Sequence, residues 1–144
     1  MYLGLEIEQL WWDSDLSEVQ VRVSNGCFAG VTTFYVVRDA LAKLADELDG
    51  FPRTLDDQRD CTLATLDSDS GRGGARLRLR VLDHAGHCEL AVELRASRPG
   101  LRQFSDQCVS LSLRVDPGSI DALVASLRAI RPETCETFRI PVSG

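Results

Sequence analysis

The residue pattern predicts an α+β fold, a largely antiparallel β-sheet of about seven strands with two helices packed on one face. Three observations carry this. Several runs alternate apolar and polar residues with a period of two, as half-buried strands do. Two other runs place apolar residues at i, i+3, i+4 and i+7, the stripe of an amphipathic helix. Short turn sequences join consecutive strands, and short turns make neighbours antiparallel. The 144 residues suit a single domain with one core.

The elements follow in order. Residues 3–10 read as a first strand, with Leu3, Leu5 and Ile7 on one face and Glu6 and Glu8 on the other. Asp13-Ser14-Asp15 is a turn. Val19, Val21 and Val23 then alternate with Gln20, Arg22 and Ser24, and Asn25-Gly26 is a hairpin signal that sends the chain into a third strand over residues 28–37. A first helix is predicted over residues 38–49, with Leu41, Leu44, Ala45 and Leu48 in its stripe and Gly50 and Pro52 as stops. Residues 53–60 read as a polar linker, 61–66 as a short strand and 67–74 as a flexible loop. Leu77, Leu79 and Val81 alternate with Arg76, Arg78 and Arg80, and Leu90, Val92 and Leu94 with Glu89, Glu93 and Arg95. Apolar must face apolar across this hairpin, because a one-residue slip moves every side chain to the other face. The predicted register sets Val81 opposite Leu90, Leu79 opposite Val92, Leu77 opposite Leu94, and Arg78 against Glu93. Arg98-Pro99-Gly100 is a turn, and Val109, Leu111, Leu113 and Val115 mark another strand. Asp116-Pro117 opens the second helix, as N-cap and first helical residue, with Ile120, Leu123, Val124 and Leu127 as its stripe. Residues 138–142 end the chain as a short edge strand. Each half closes strand-then-helix, a faint twofold echo in which Asp39-Ala40-Leu41 matches Asp121-Ala122-Leu123.

Composition narrows the classes. No run of eighteen apolar residues is present, so no membrane span is expected. The first residues have neither a basic start nor an apolar signal core, which predicts a cytoplasmic protein. Fifteen of the basic residues are Arg and only Lys43 is Lys, a bias that goes with GC-rich bacterial genomes. The net charge of −6 divides into −9 over residues 1–70 and +3 over residues 71–144. A molecule of that overall sign repels a polyanion, so nucleic acid is not an expected partner. Cys27, Cys61, Cys88, Cys108 and Cys135 are odd in number and widely spaced, and read as small buried apolar side chains.

The candidate chemistry is sparse. His84, His87, Cys88 and Asp83 flank one hairpin tip, but neighbours on a strand point to opposite faces, so a metal site does not assemble. Asp67-Ser68-Asp69-Ser70-Gly71 opens like a calcium loop, yet its twelfth position is Arg78 where a Glu is needed. No nucleophile elbow, phosphate loop or acid/base pair is recognisable, which weighs against an enzyme and predicts no cofactor. Two surface features remain. Trp11 and Trp12 are adjacent, so in extended backbone one enters the core and the other reaches a rim, where tryptophan is a frequent binding anchor. Arg76, Arg78, Arg80, Arg95 and Arg114 share a polar sheet face with Glu89 and Glu93, either as a solvated charge ladder or as a surface for an acidic partner or a second subunit.

The chain resembles small bacterial proteins of the WapI-type immunity class and related bacterial families. The likeness lies in the strand–helix–strand–helix order, in Phe28-Ala29-Gly30 ahead of a strand end containing Tyr35, in Asp39-Ala40-Leu41 opening a helix that ends Leu48-x-Gly50-Phe51-Pro52, and in the strand leading to Asp116-x-x-Ser119. The resemblance implies an inhibitor that binds a cognate toxin, with no active site to carry over. The expected function is a non-enzymatic protein-interaction domain, an immunity protein in particular. The alternative is a small-ligand-binding module or enzyme with a pocket between sheet and helices, its ligand unknown.

Overall fold

A computed structural model of the chain describes residues 2–64, 73–96, 107–131 and 135–143. The alternating runs form eight strands: β1 (Gly4–Trp12), β2 (Leu16–Ser24), β3 (Ala29–Val37), β4 (Gln58–Leu63), β5 (Gly74–Val81), β6 (Cys88–Ala96), β7 (Gln107–Val115) and β8 (Thr137–Pro141). Helix α1 (Ala40–Leu48) lies between β3 and β4, and α2 (Pro117–Arg128) between β7 and β8. The fold is α+β and antiparallel, as expected, but the strands form two four-stranded sheets rather than one of about seven. Sheet A has the order β3-β2-β1-β8 and sheet B the order β4-β5-β6-β7. Among the described residues no helix is long and apolar enough to cross a membrane.

The two orders are one layout used twice. Three antiparallel strands and a helix are followed by a strand that leaves its own sheet: β4, after α1, pairs with β5, and β8, after α2, returns to pair with β1. The inner rows correspond: Phe138–Ile7–Val21–Thr32 in sheet A, Cys61–Leu77–Val92–Leu111 in sheet B. The buried stripes correspond too, Leu41, Leu44, Ala45 and Leu48 on α1 with Ile120, Leu123, Val124 and Leu127 on α2. The Asp-Ala-Leu match seen in the sequence is therefore three residues out of phase with the structural repeat. The helices pack on each other, α1 also on β4 and α2 on β8, and all ten elements share one apolar core.

Several boundaries differ from the sequence reading. Residues 58–60, read as linker, open β4, and Cys61 and Leu63 are its buried residues. Of the loop predicted over residues 67–74, Gly74 opens β5 and residues 67–72 lie outside the described residues, as does the turn predicted at 98–100. In the β5–β6 hairpin Val81 pairs with Cys88, Leu79 with Leu90, Leu77 with Val92 and Arg76 with Glu93. The predicted register was two residues off, with every side chain on its predicted face. The reason is local. Asp83 Oδ1 accepts hydrogen bonds from the Ala85 and His87 amides, and the Leu82 amide bonds the His87 carbonyl at 2.7 Å, so the loop closes at six residues and Cys88 enters the strand. Asp116 occupies the N-cap position of α2, but its side chain makes no capping hydrogen bond. Of the five cysteines only Cys61 and Cys88 are buried; Cys27, Cys108 and Cys135 are exposed, which corrects the reading of all five as core residues. Leu3 is exposed as well, whereas Glu6, expected on the polar face, is buried.

Sheet A meets sheet B along β3. A Cβ on Gly30 would overlap Val109 Cγ1 of β7, and Thr32 Oγ1 donates to the Arg95 carbonyl of β6 at 2.9 Å. Gly30 and Val109 are equivalent positions of the two halves, so the repeat touches itself where one half has a glycine and the other a valine. Valine is stiff about χ1 and has little room to yield. Gly30→Ala is expected to lower the unfolding free energy by about 1–3 kcal/mol in urea denaturation. Val109→Ala in the same chain should restore part of the loss, and additive losses would show that the two sites are not coupled.

Candidate functional site: two sheet faces and an edge groove

The strands carry the expected surface residues, but to two different places. Arg76, Arg78, Arg80, Arg95 and Arg114 all lie on the outer face of sheet B, together with Glu89 and Glu93. Trp11 lies on the outer face of sheet A. Trp12 sits on the opposite side of β1, half-buried, with the Arg38 guanidinium 5.6 Å from its ring centre.

The assignment of the two tryptophans is decided by a β-bulge. Counting alternation from Leu5 and Ile7 would turn Trp11 inward. The register slips between Gln9 and Trp11, so that Gln9 pairs with Val19 but Trp11 with Glu18 and Trp12 with Ser17. One extra residue reverses every later side chain. Trp11 is thereby 47 % exposed and meets Tyr35, 43 % exposed, edge to face at 6.3 Å between ring centres. Leu16 and Val37, cross-strand partners, are exposed beside them. Tyr35, Leu16 and Val37 were missed in the sequence as site residues, because only the three-strand register brings them to Trp11.

A groove of about 620 Å³ continues from this patch. One wall is β3, residues 34–37, at the edge of sheet A; the others are α1 through Ala40 and Leu44, and the end of β4 through Leu63 and Ala64. Leu16, Tyr35 and Val37 belong to patch and groove alike. The lining is mainly apolar, with Lys43, Glu47 and Thr62 as its polar members. Lys43 is bridged to Asp39 at 3.3 Å. Next to the groove, burial pushes the Cys61 thiol up to about 12, helped by the Glu47 carboxylate that it faces. A thiol so fully protonated is a poor nucleophile.

The strand edge of β3 is unprotected in composition. Over nine residues it carries no charge, no proline and no bulge, the devices that keep edges from pairing with other chains. The edge strand β8 is only five residues long and holds Arg139 and Pro141, and β4 is six long and holds Arg59 and Asp60.

The charged groups are mostly tied down. Glu6 is buried on β1 and receives Arg139 Nε at 2.8 Å and Arg22 Nε at 3.4 Å. Burial alone would raise its pKa, but the hydrogen bonds from the two arginines outweigh this and hold it below the usual range. Arg59 clamps the turn after α1. Its Nη1 donates to the Glu47 and Asp49 carbonyls at the helix end, its Nε and Nη2 to the Asp57 carboxylate, and it lies 5.8 Å from the Phe51 ring centre. Asp83 Oδ2 and His87 Nδ1 are 2.7 Å apart at the β5–β6 tip, while Cys88 is buried on the other side. Among the described residues no three of His, Cys, Asp and Glu converge as metal ligands do. The calcium-like stretch at residues 67–71 lies outside the described residues.

The clamp makes a pH prediction. The hydrogen bond from Arg59 holds the Asp57 carboxyl down from 3.8 to about 2. A depressed folded pKa gives stability that is present above the unfolded value and lost as pH falls through the folded one. Asp57→Asn should therefore cost about 1–2 kcal/mol at neutral pH, read from urea midpoints. The gap to the parent protein should shrink from pH 3.8 downward and close near pH 2; a gap independent of pH would sink the assignment.

No protein-family model matches this chain, and neither does any curated protein sequence or solved structure.

Proposed function

We propose that the chain is a non-enzymatic protein-interaction domain that binds its partner through the Trp11–Tyr35 patch and the groove beside it. The observation that carries this is the continuity of an exposed aromatic and aliphatic patch with an apolar groove along the end of an edge strand that carries no charge or proline. Exposed apolar patches with aromatic anchors are typical of binding surfaces, and tryptophan and tyrosine are frequent among residues that dominate binding energy. The WapI-type resemblance gives this reading its form as a toxin inhibitor, acting in the cytoplasm of a bacterium. A second reading rests on the groove, whose volume falls within the roughly 300–1,000 Å³ of small-molecule sites. It predicts a small molecule that stays with the purified protein.

Affinity capture from the native host, with mass spectrometry of what is retained, separates the two. A stoichiometric protein is the expected outcome; a reproducible small-molecule mass in its place would favour the second reading. With the captured protein in hand, Trp11→Ala and Tyr35→Ala should each weaken binding by about 2 kcal/mol or more in titration calorimetry while leaving the urea midpoint nearly unchanged. Undiminished affinity in both variants would remove the patch from the interface.

A further inference from the structure

The repeat lets each outer-face position of one sheet be compared with its equivalent in the other. The row Glu8–Gln20–Thr33 of sheet A corresponds to Arg78–Ala91–Ser112 of sheet B. In sheet A this row is closed. Glu8 accepts from Arg22 at 2.9 Å, Arg22 also bonds Gln20 Oε1, and Gln20 Nε2 reaches Thr33 Oγ1 at 3.2 Å. In sheet B the same row is open. Ala91 replaces the long Gln20 side chain by a methyl group, and the hydroxyls of Ser110 and Ser112 lie beyond it, around a depression of about 530 Å³.

Arg78 stands in that depression, and its neighbours are all engaged elsewhere. Asp60 lies directly opposite Arg78 in the ladder, yet both its oxygens are taken by Arg76, at 2.9 and 2.6 Å. Glu89 accepts from Arg80 at 2.9 Å. Glu93 lies 3.8 Å from Arg95 and receives the Cys108 thiol. Among the described residues Arg78 makes no hydrogen bond or close ion pair, and it acts on the Asp60 carboxylate only through space. Among the described residues the outer face carries five arginines against Asp60, Glu89 and Glu93, so it is locally positive on a chain of net charge −6. A guanidinium with an open face binds a carboxylate through two parallel hydrogen bonds. The flanking carboxylates oppose a continuous polyanion, and one carboxylate fits between them.

We propose that the Arg78 depression on sheet B is a second contact surface, which receives an Asp or Glu side chain of an acidic segment of the protein partner. This rests on the protein-interaction reading and adds to it the chemistry of the partner.

The test uses the full chain, labelled with ¹⁵N, and follows the arginine Nε–H signals by NMR. The probes are a Ser-Glu-Ser-Glu-Ser peptide with blocked ends, its Gln counterpart, and sodium acetate. The Glu peptide is expected to move the Arg78 signal saturably, with the Arg76 and Arg80 signals nearly still. The Gln peptide should have no effect, and acetate at equal carboxylate concentration a weaker one. Ala91→Gln, which refills the depression as Gln20 does in sheet A, should weaken the peptide at least tenfold, and Arg78→Gln should abolish the response; circular dichroism checks that both fold. Four results would overturn the proposal: no saturable shift at Arg78, equal movement of all five arginines, acetate as effective as the peptide, or undiminished binding by Ala91→Gln. The failure of this surface is distinct from failure of the interaction reading, because Trp11→Ala and Tyr35→Ala probe the other sheet with the captured partner, and the peptide titration needs no partner.

Discussion

The contact of Gly30 with Val109 is the constraint on which the arrangement of this molecule rests. Two antiparallel sheets with one apolar face each must bring those faces to a common core. Here β3 can approach β7 only because Gly30 has no side chain in the way, and Thr32 then closes the seam on the Arg95 carbonyl. With residues 30–32 held against sheet B, the far end of β3 is left beside α1 and the end of β4, and that gap is the groove. One missing Cβ thus couples the packing of the core to the shape of the surface.

The strand exchange makes the halves dependent on each other. Because β4 completes the second sheet and β8 completes the first, neither half closes a sheet without the other. Gly4 shows how tightly this is built. Its φ of +137° and the nearby Ile140 carbonyl leave no space for a side chain where β8 returns to β1. Arg139 of β8 and Arg22 of β2 both bond Glu6, so the returning strand is also fixed by charge. The inner faces are mainly apolar in both sheets, since both serve one core, with Gly30 and Thr32 standing where sheet B has Val109 and Leu111. The outer faces differ. The row Trp11–Glu18–Tyr35 in sheet A stands where Arg80–Glu89–Arg114 stands in sheet B. One layout therefore presents an aromatic surface on one sheet and a basic one on the other.

Much of this was legible in the chain. The alternation of Val19, Val21 and Val23, and of Leu77, Leu79 and Val81, placed each side chain on its correct face, because burial of one sheet face enforces a strict period of two. The stripes of α1 and α2 were read residue for residue, and the five arginines were correctly grouped on one face. Which of Trp11 and Trp12 turns outward was left open by the sequence and is set by the bulge before Trp11, and pairing failed where Asp83 drew the hairpin tip tighter than its polarity suggests. Both are decided by local hydrogen bonding that leaves no trace in hydrophobic periodicity.

What the sequence determined by itself was local: which segments are strands or helices, which face of each is buried, and that the whole is antiparallel α+β. The reason is that these follow from side-chain periodicity and short turns, which neighbouring residues settle among themselves. The tertiary structure alone decided that there are two sheets, that β4 and β8 change sheets, and that Tyr35 joins Trp11 while Asp60, opposite Arg78, gives its hydrogen bonds to Arg76. These depend on which strands lie side by side across the chain, and on how far each Cβ extends toward a residue distant in sequence.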